Sequence, residues 1–222
     1  MLAKQHREAL LTPLNSLDHY PVNKILLGKM QLPKDFVDMN CIFVHVPKCA
    51  GTSIKNAFFR NKVHGHMPVW FYEKCNKEFY PQAFKFTFVR HPLSRAYSAY
   101  QYLKGTDIDR NSSLKKVVEK YENFDYFVSN WLSSENSMRH ILFTPQIKFL
   151  ENSMGLIDFD FIGKQENFEQ DFQNIRMALN SKAELVHMNA SVKDSIKREF
   201  RPDTIQKIYE IYKNDFDLLG YK

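Results

Sequence analysis

The sequence predicts an α/β fold in which a central, mainly parallel sheet is flanked by helices, and three observations predict it. Two strongly apolar segments, Cys41 to Val46 and Phe84 to Val89, each end close to a cation and run directly into a helix-spaced stretch. Further short strand and helix patterns alternate along the chain, the order that builds parallel strands joined by covering helices. Finally, 44% of the 222 residues are hydrophobic, with nineteen Phe and eleven Tyr against only seven Gly and nine Pro. A substantial core can therefore form, and a loop-dominated chain is excluded.

Residues 1 to 40 read as an N-terminal helical and irregular lead-in, apolar at Ala9, Leu10 and Leu11 and punctuated by Pro13, Pro21 and Pro33; no chemistry is assigned to it. Cys41 to Val46 then forms a buried strand, which Pro47 stops because it brings no backbone donor. The turn that follows, Lys48, Cys49, Ala50, Gly51, Thr52 and Ser53, supplies a cation, small side chains that let backbone approach a ligand, and two hydroxyls. Ile54, Ala57 and Phe58 continue at helical spacing, so the helix N-terminus and its positive dipole end point back at the strand tip, where an anion binds well. A plain capped connection with Thr52 or Ser53 as the cap is the alternative. The order of residues is not that of a Walker A loop, since Lys48 precedes the turn instead of opening the helix.

Asn61 to Pro68 carries His64 and His66 around Gly65; they suit ordinary loop histidines, a catalytic base, or ligands of a metal for which no third donor lies close in sequence. Phe84 to Val89 is the second strand. It ends at Arg90, and a helix follows over Leu93 to Leu103 with Leu93, Ala96, Tyr97 and Tyr100 on one face. Arg90 and Ser98 are placed to grip a second phosphate, unless Arg90 merely pairs with a surface carboxylate. Residues 112 to 133 read as one long helix, through Leu114, Val118, Phe124, Phe127 and Trp131. Met138 to Leu150, with His140 and Gln146, reads as a loop and short helix near the substrate. Phe159 to Gly163 is a third strand, and Phe168, Phe172, Ile175 and Leu179 give the next helix its stripe. Leu185 to Met188 reads as a fourth strand leading to the polar turn Asn189-Ala190-Ser191, and a last helix runs from Pro202 to a stop at Gly220. In such a sheet, ligands bind at the carboxyl ends of the strands, where Lys48 and Arg90 both fall.

The formal charge of +6 and pI of about 9.1 suit an anionic ligand. Lys and Arg are dispersed instead of gathered in a polybasic run, which speaks against nucleic acid. Three cysteines, Cys41, Cys49 and Cys75, without CxxC spacing give neither a disulfide framework nor a zinc site, and reduced thiols suit the cytoplasm. No apolar run is long enough to span a bilayer and Met1 to Asn15 has no signal-peptide core, so the chain reads as soluble unless a Golgi-type anchor has been removed.

IFVHVPKCAGTS resembles the 5'-phosphosulfate loop, and FTFVRHPLSRAYSAY the 3'-phosphate motif, of sulfotransferases that use 3'-phosphoadenosine 5'-phosphosulfate (PAPS), particularly the carbohydrate O-sulfotransferases. FIGKQENFEQDF, HMNAS and IYKNDFDLLGY are weaker echoes, so the likeness covers most of residues 41 to 221. The resemblance implies a single P-loop-like three-layer domain over residues 41 to 222, with PAPS as co-substrate and no metal required. Lys48 would contact the oxygen bridging phosphate and sulfate, and Gly51, Thr52 and Ser53 would hold the 5'-phosphate within the loop that Pro47, Cys49 and Ala50 complete. Arg90 and Ser98 would bind the 3'-phosphate, and Asn189 and Ser191 would close over the nucleotide. His66 is the expected base, His64 its rival, and Glu73 the next candidate. Cys49 stands where the family usually has Thr or Gly, which makes thiol modification an expected route to inhibition. The acceptor implied is a hydroxyl of a carbohydrate or glycolipid. Two other readings compete: a P-loop-type small-metabolite kinase, which lacks its Walker lysine here, and a non-catalytic domain that binds a nucleotide or acidic glycan.

Overall fold

The computed structural model describes residues 31–60, 65–105, 113–185 and 199–222. In chain order the elements are helix α1 (Lys34–Asp38), strand β1 (Cys41–Val44), helices α2 (Gly51–Phe59) and α3 (Val69–Cys75), strand β2 (Phe84–Val89), and helices α4 (Pro92–Lys104), α5 (Ser113–Glu119), α6 (Phe124–Asn130), α7 (Ser134–Met138) and α8 (Ile147–Leu150). Strand β3 (Phe161–Lys164), a 3-10 turn (Gln165–Asn167) and helices α9 (Phe168–Ala178), α10 (Pro202–Ile211) and α11 (Lys213–Leu219) complete the chain.

The strands form a sheet in the order β1-β2-β3, with both pairings parallel. Phe43 faces Phe86 across the first pairing, and Val89 faces Lys164 across the second. Cys41, Ile42, Phe43 and Val44 are all buried, as strands covered on both faces must be. On one face the Phe43 and Phe86 rings stack at 5.2 Å. Helix α2 lays Phe58 and Phe59 against them, and Phe172 of α9 meets Phe58 at 5.1 Å. Each fully buried phenylalanine of this kind contributes roughly 1.5–3 kcal/mol of transfer free energy. Helix α1, the described end of the lead-in, is built into the same cluster, since Phe36 is fully buried with its ring 5.2 Å from Phe59.

The fold is the α/β arrangement expected, and the departures are local. Strand β1 leaves the ladder at Val44, before Pro47 is reached, and there the Thr87 hydroxyl donates to the Val44 carbonyl at 2.8 Å. The stretch from 112 to 133 is not one helix: α5 ends at Glu119, and Asn123 opens α6 by accepting a hydrogen bond from the Tyr126 amide at 3.1 Å. The final helix likewise breaks at Tyr212 into α10 and α11. Its stop at Gly220, left-handed at φ +66°, is where the sequence puts it. Helix α3 takes up the aromatic run VWFY, for which the sequence predicts no element, and the third strand starts two residues later and ends one residue later than expected. The proposed fourth strand, apart from Leu185, lies outside the described residues.

Because all three strands run the same way, their carboxyl ends share one edge of the sheet. That edge carries the loop after β1, Arg90 after β2 and Lys164 at the tip of β3.

Candidate active site

The loop from His45 to Ala50 is shaped by two residues in an unfavourable conformation. Lys48 (φ +67°) and Ala50 (φ +60°) are both left-handed, at a cost of about 1–2 kcal/mol each for residues that bear a Cβ. Such turns point successive backbone N–H groups into one concavity, the arrangement that binds anions. Ala50 is the N-cap of α2, and no side chain caps that helix, so neither Thr52 nor Ser53 plays the capping part. The first turn therefore directs its amides towards the loop.

Gly51 is required for a different reason from the one the sequence suggested. A Cβ built there would lie 1.9 Å from Cδ2 and 2.1 Å from Nε2 of His45, so the space beside Gly51 is filled by the protein's own imidazole. His45 is held in turn by the His66 ring, 4.1 Å away, and by Phe43 at 5.8 Å. Gly51→Ala is accordingly expected to lower stability by about 3 kcal/mol. At roughly 2–4 °C of Tm per kcal/mol for a chain of this size, calorimetry resolves the change easily. Gly51→Ala combined with His45→Ala should recover most of it; a double variant no more stable than Gly51→Ala alone would show that the collision is not the cause.

The Lys48 ammonium lies 4.1 Å from the centroid of the Tyr102 ring. Burial pulls its pKa below the ordinary lysine value, and the positive charge of Arg90 acts in the same direction. The two sequence-predicted cations thus stand at one edge of the sheet, Lys48 on the loop after β1 and Arg90 just beyond β2. Arg90 is held at its backbone: Gln146 Oε1 accepts from the Arg90 amide at 2.9 Å, and Gln146 Nε2 donates to the Arg90 carbonyl at 2.8 Å. Its Nε is buried with no hydrogen-bond partner among the described residues. Glu166 adds a favourable charge, but its oxygens accept from the His91 amide at 2.7 Å and the Tyr221 hydroxyl at 3.2 Å. A guanidinium so placed suits an incoming anion better than a surface carboxylate. Ser98 is half-buried on α4, one turn before Tyr102 and on the same helical face, the face turned towards Lys48.

His66 is half-buried, with Nδ1 3.0 Å from the His45 carbonyl. A carbonyl only accepts, so in the neutral ring Nδ1 bears the hydrogen and Nε2 the lone pair, the tautomer a base at Nε2 needs. His64, Asn189 and Ser191 lie outside the described residues. Glu73 is committed elsewhere, accepting from the amide and the hydroxyl of Ser153 at 2.8 Å each. His140 accepts from the Leu142 amide at 3.2 Å, and burial pushes its pKa down to about 4, so it acts as a neutral pin for a turn.

The expectation for Cys49 is corrected. The thiol is 1% exposed, donates to Gln146 Oε1 at 3.3 Å, and is pushed by burial up to about 12, so it is a structural tie and not a reactive handle. Two residues with clear roles here escaped the sequence reading: Tyr102, which had no assigned role, and Gln146, placed only near the substrate. The available signals were their positions, Tyr102 seven residues beyond Arg95 on one helical face and Gln146 as a lone amide within the apolar run FTPQIKFL.

Among the described residues no helix is long and apolar enough to cross a membrane, and no group of three or more His, Cys, Asp or Glu could hold a metal. Compared with known proteins, residues 37–222 match the family model described as "Sulfotransferase family". No curated protein and no solved structure matches the chain.

Proposed function

Since the chain belongs to the sulfotransferase family, we propose that it transfers the sulfuryl group of PAPS to a hydroxyl of a carbohydrate or glycolipid acceptor. The observation that carries the donor assignment is the placing of Lys48 and Arg90 at the same carboxyl edge of the sheet, on the loop after β1 and just beyond the end of β2. Both are partly buried, Arg90 Nε has no hydrogen-bond partner among the described residues, and the positive charge of Arg90 repels that of Lys48. A ligand with anionic groups at both ends relieves that repulsion.

When bound, the donor supplies an activated sulfuryl group: its bond to the 5'-phosphate oxygen breaks as the acceptor oxygen bonds to sulfur, releasing adenosine 3',5'-bisphosphate. Lys48 and the amides at the start of α2 meet the charge that gathers on the departing oxygen. His66 Nε2 takes the proton of the attacking hydroxyl, with Nδ1–H anchored on the His45 carbonyl. Arg90 and Ser98 hold the 3'-phosphate. Pro47, Cys49, Ala50, Gly51, Thr52 and Ser53 form the cradle for the 5' end, with Cys49 contributing backbone only. The carbohydrate assignment is supported by the net charge of +6, which suits an acidic glycan acceptor.

Thermal melts in excess chelator test the donor. Adenosine 3',5'-bisphosphate at a hundredfold excess over its Kd should add about 2.7 kcal/mol of apparent stability. Stabilisation by ATP that requires magnesium, with none from the bisphosphate, would replace this reading with a kinase. Incubation with sulfur-labelled PAPS and a panel of glycans then tests the acceptor; label found only on small phenols would remove the carbohydrate assignment.

A further inference from the structure

Gln146 is fully buried, and its side-chain amide is held through both its oxygen and its nitrogen. An amide offers two lone pairs and two hydrogens. Oε1 accepts from the Arg90 amide at 2.9 Å and from the Cys49 thiol at 3.3 Å. Nε2 donates to the Arg90 carbonyl at 2.8 Å. Turning the amide over would set donors against donors, so its orientation is fixed.

The main chain of Gln146 is fixed as well. Its own amide donates to Asp215 Oδ2 at 2.8 Å and the Ile147 amide to Oδ1 at 3.0 Å, and the carboxylate is fully buried on α11. Arg90 stands one residue beyond the end of β2, where the ladder no longer satisfies its backbone. The Gln146 amide takes the place of a neighbouring strand at that point. Through Cys49 the same side chain reaches the loop that carries Lys48.

We infer that Gln146 is a positioning residue of the donor site, tying the strand tip that bears Arg90 to the loop that bears Lys48 and so matching their separation to a nucleotide with phosphate at both its 3' and 5' ends. This rests on the donor assignment above. Two of the three bonds that Gln146 makes to the site residues hold Arg90, so its loss falls mainly on recognition of the 3'-phosphate, with the 5' cradle retaining its own loop and helix.

The test is calorimetric titration of the full chain with adenosine 3',5'-bisphosphate and with adenosine 5'-phosphate. The readout is the ratio of the two Kd values, which a loss of stability alone does not move. Wild type should prefer the bisphosphate, and Gln146→Met, close in volume but without the amide, should lower that preference about tenfold, the scale of one charge-assisted contact. Gln146→Asn keeps a buried amide and is the variant to titrate if Gln146→Met does not fold; its shorter reach should lower the ratio too. A variant that melts earlier yet keeps the wild-type ratio within about twofold, a difference below the worth of one such contact, would reduce Gln146 to a structural residue and overturn the inference alone. Wild type that binds both nucleotides equally would overturn the donor assignment, and the inference with it.

Discussion

Lys48→Ala should lower kcat by about 10²–10³, the scale reported for removing one preorganised group that stabilises charge in the transition state. Its electrostatic setting explains why so much is expected of one side chain. The ammonium is half-buried against Tyr102, at the same sheet edge as Arg90, so water screens it poorly. Bisphosphate affinity should fall much less than kcat, because the amides of α2 and the guanidinium of Arg90 remain. A variant with full turnover would sink the leaving-group assignment.

The pH dependence follows from the same surroundings. Burial, reinforced by Arg90, depresses the Lys48 pKa in the ligand-free protein, so the alkaline limb of kcat/KM for the donor should fall at a lower pH than an ordinary lysine would give. Stability moves in the opposite direction. A lysine with a folded-state pKa below its unfolded value burdens the fold while charged, and the burden lifts as pH rises through the folded value towards the ordinary one. Donor phosphates should push the limb back up, which steady-state profiles at saturating and limiting donor can separate.

His66→Ala is expected to cost about 10²–10⁴ in kcat, the range for loss of a positioned general base. Bisphosphate binding should be nearly unchanged, since the role proposed for the imidazole is at the acceptor hydroxyl and not at the nucleotide. His66→Gln sharpens the experiment: a Gln amide can still donate to the His45 carbonyl, preserving that contact without supplying a base. Equal losses in the two variants assign the effect to proton transfer. Activity kept by His66→Gln but lost in His66→Ala would make His66 a structural prop.

Helix boundaries show where periodicity stops being informative. The apolar stripe from Leu114 to Trp131 continues across Asn123, and summing it yields one helix. The break depends on whether Asn123 turns its carbonyl oxygen back onto the Tyr126 amide, a choice made by packing of the surrounding rings. The same holds at Tyr212, whose hydroxyl donates to the Phe143 carbonyl at 2.8 Å deep in the core. Glu73 and Cys49 carry a parallel lesson for the site. Residue type made one a candidate base and the other a candidate reactive thiol, and their tertiary neighbours Ser153 and Gln146 give them structural work instead.

From residues alone came the parallel α/β plan, the two strand-to-helix turns and the cations beside them, because these depend on local patterning and on the chemistry each side chain carries wherever it sits. Which groups meet was settled only by the folded chain. His45 fills the space beside Gly51, Tyr102 stands over Lys48, and Gln146 spans nearly a hundred residues of sequence to join two loops. Contacts of that kind arise from the register of the sheet and the packing of helices upon it, and no short window of sequence encodes their distances.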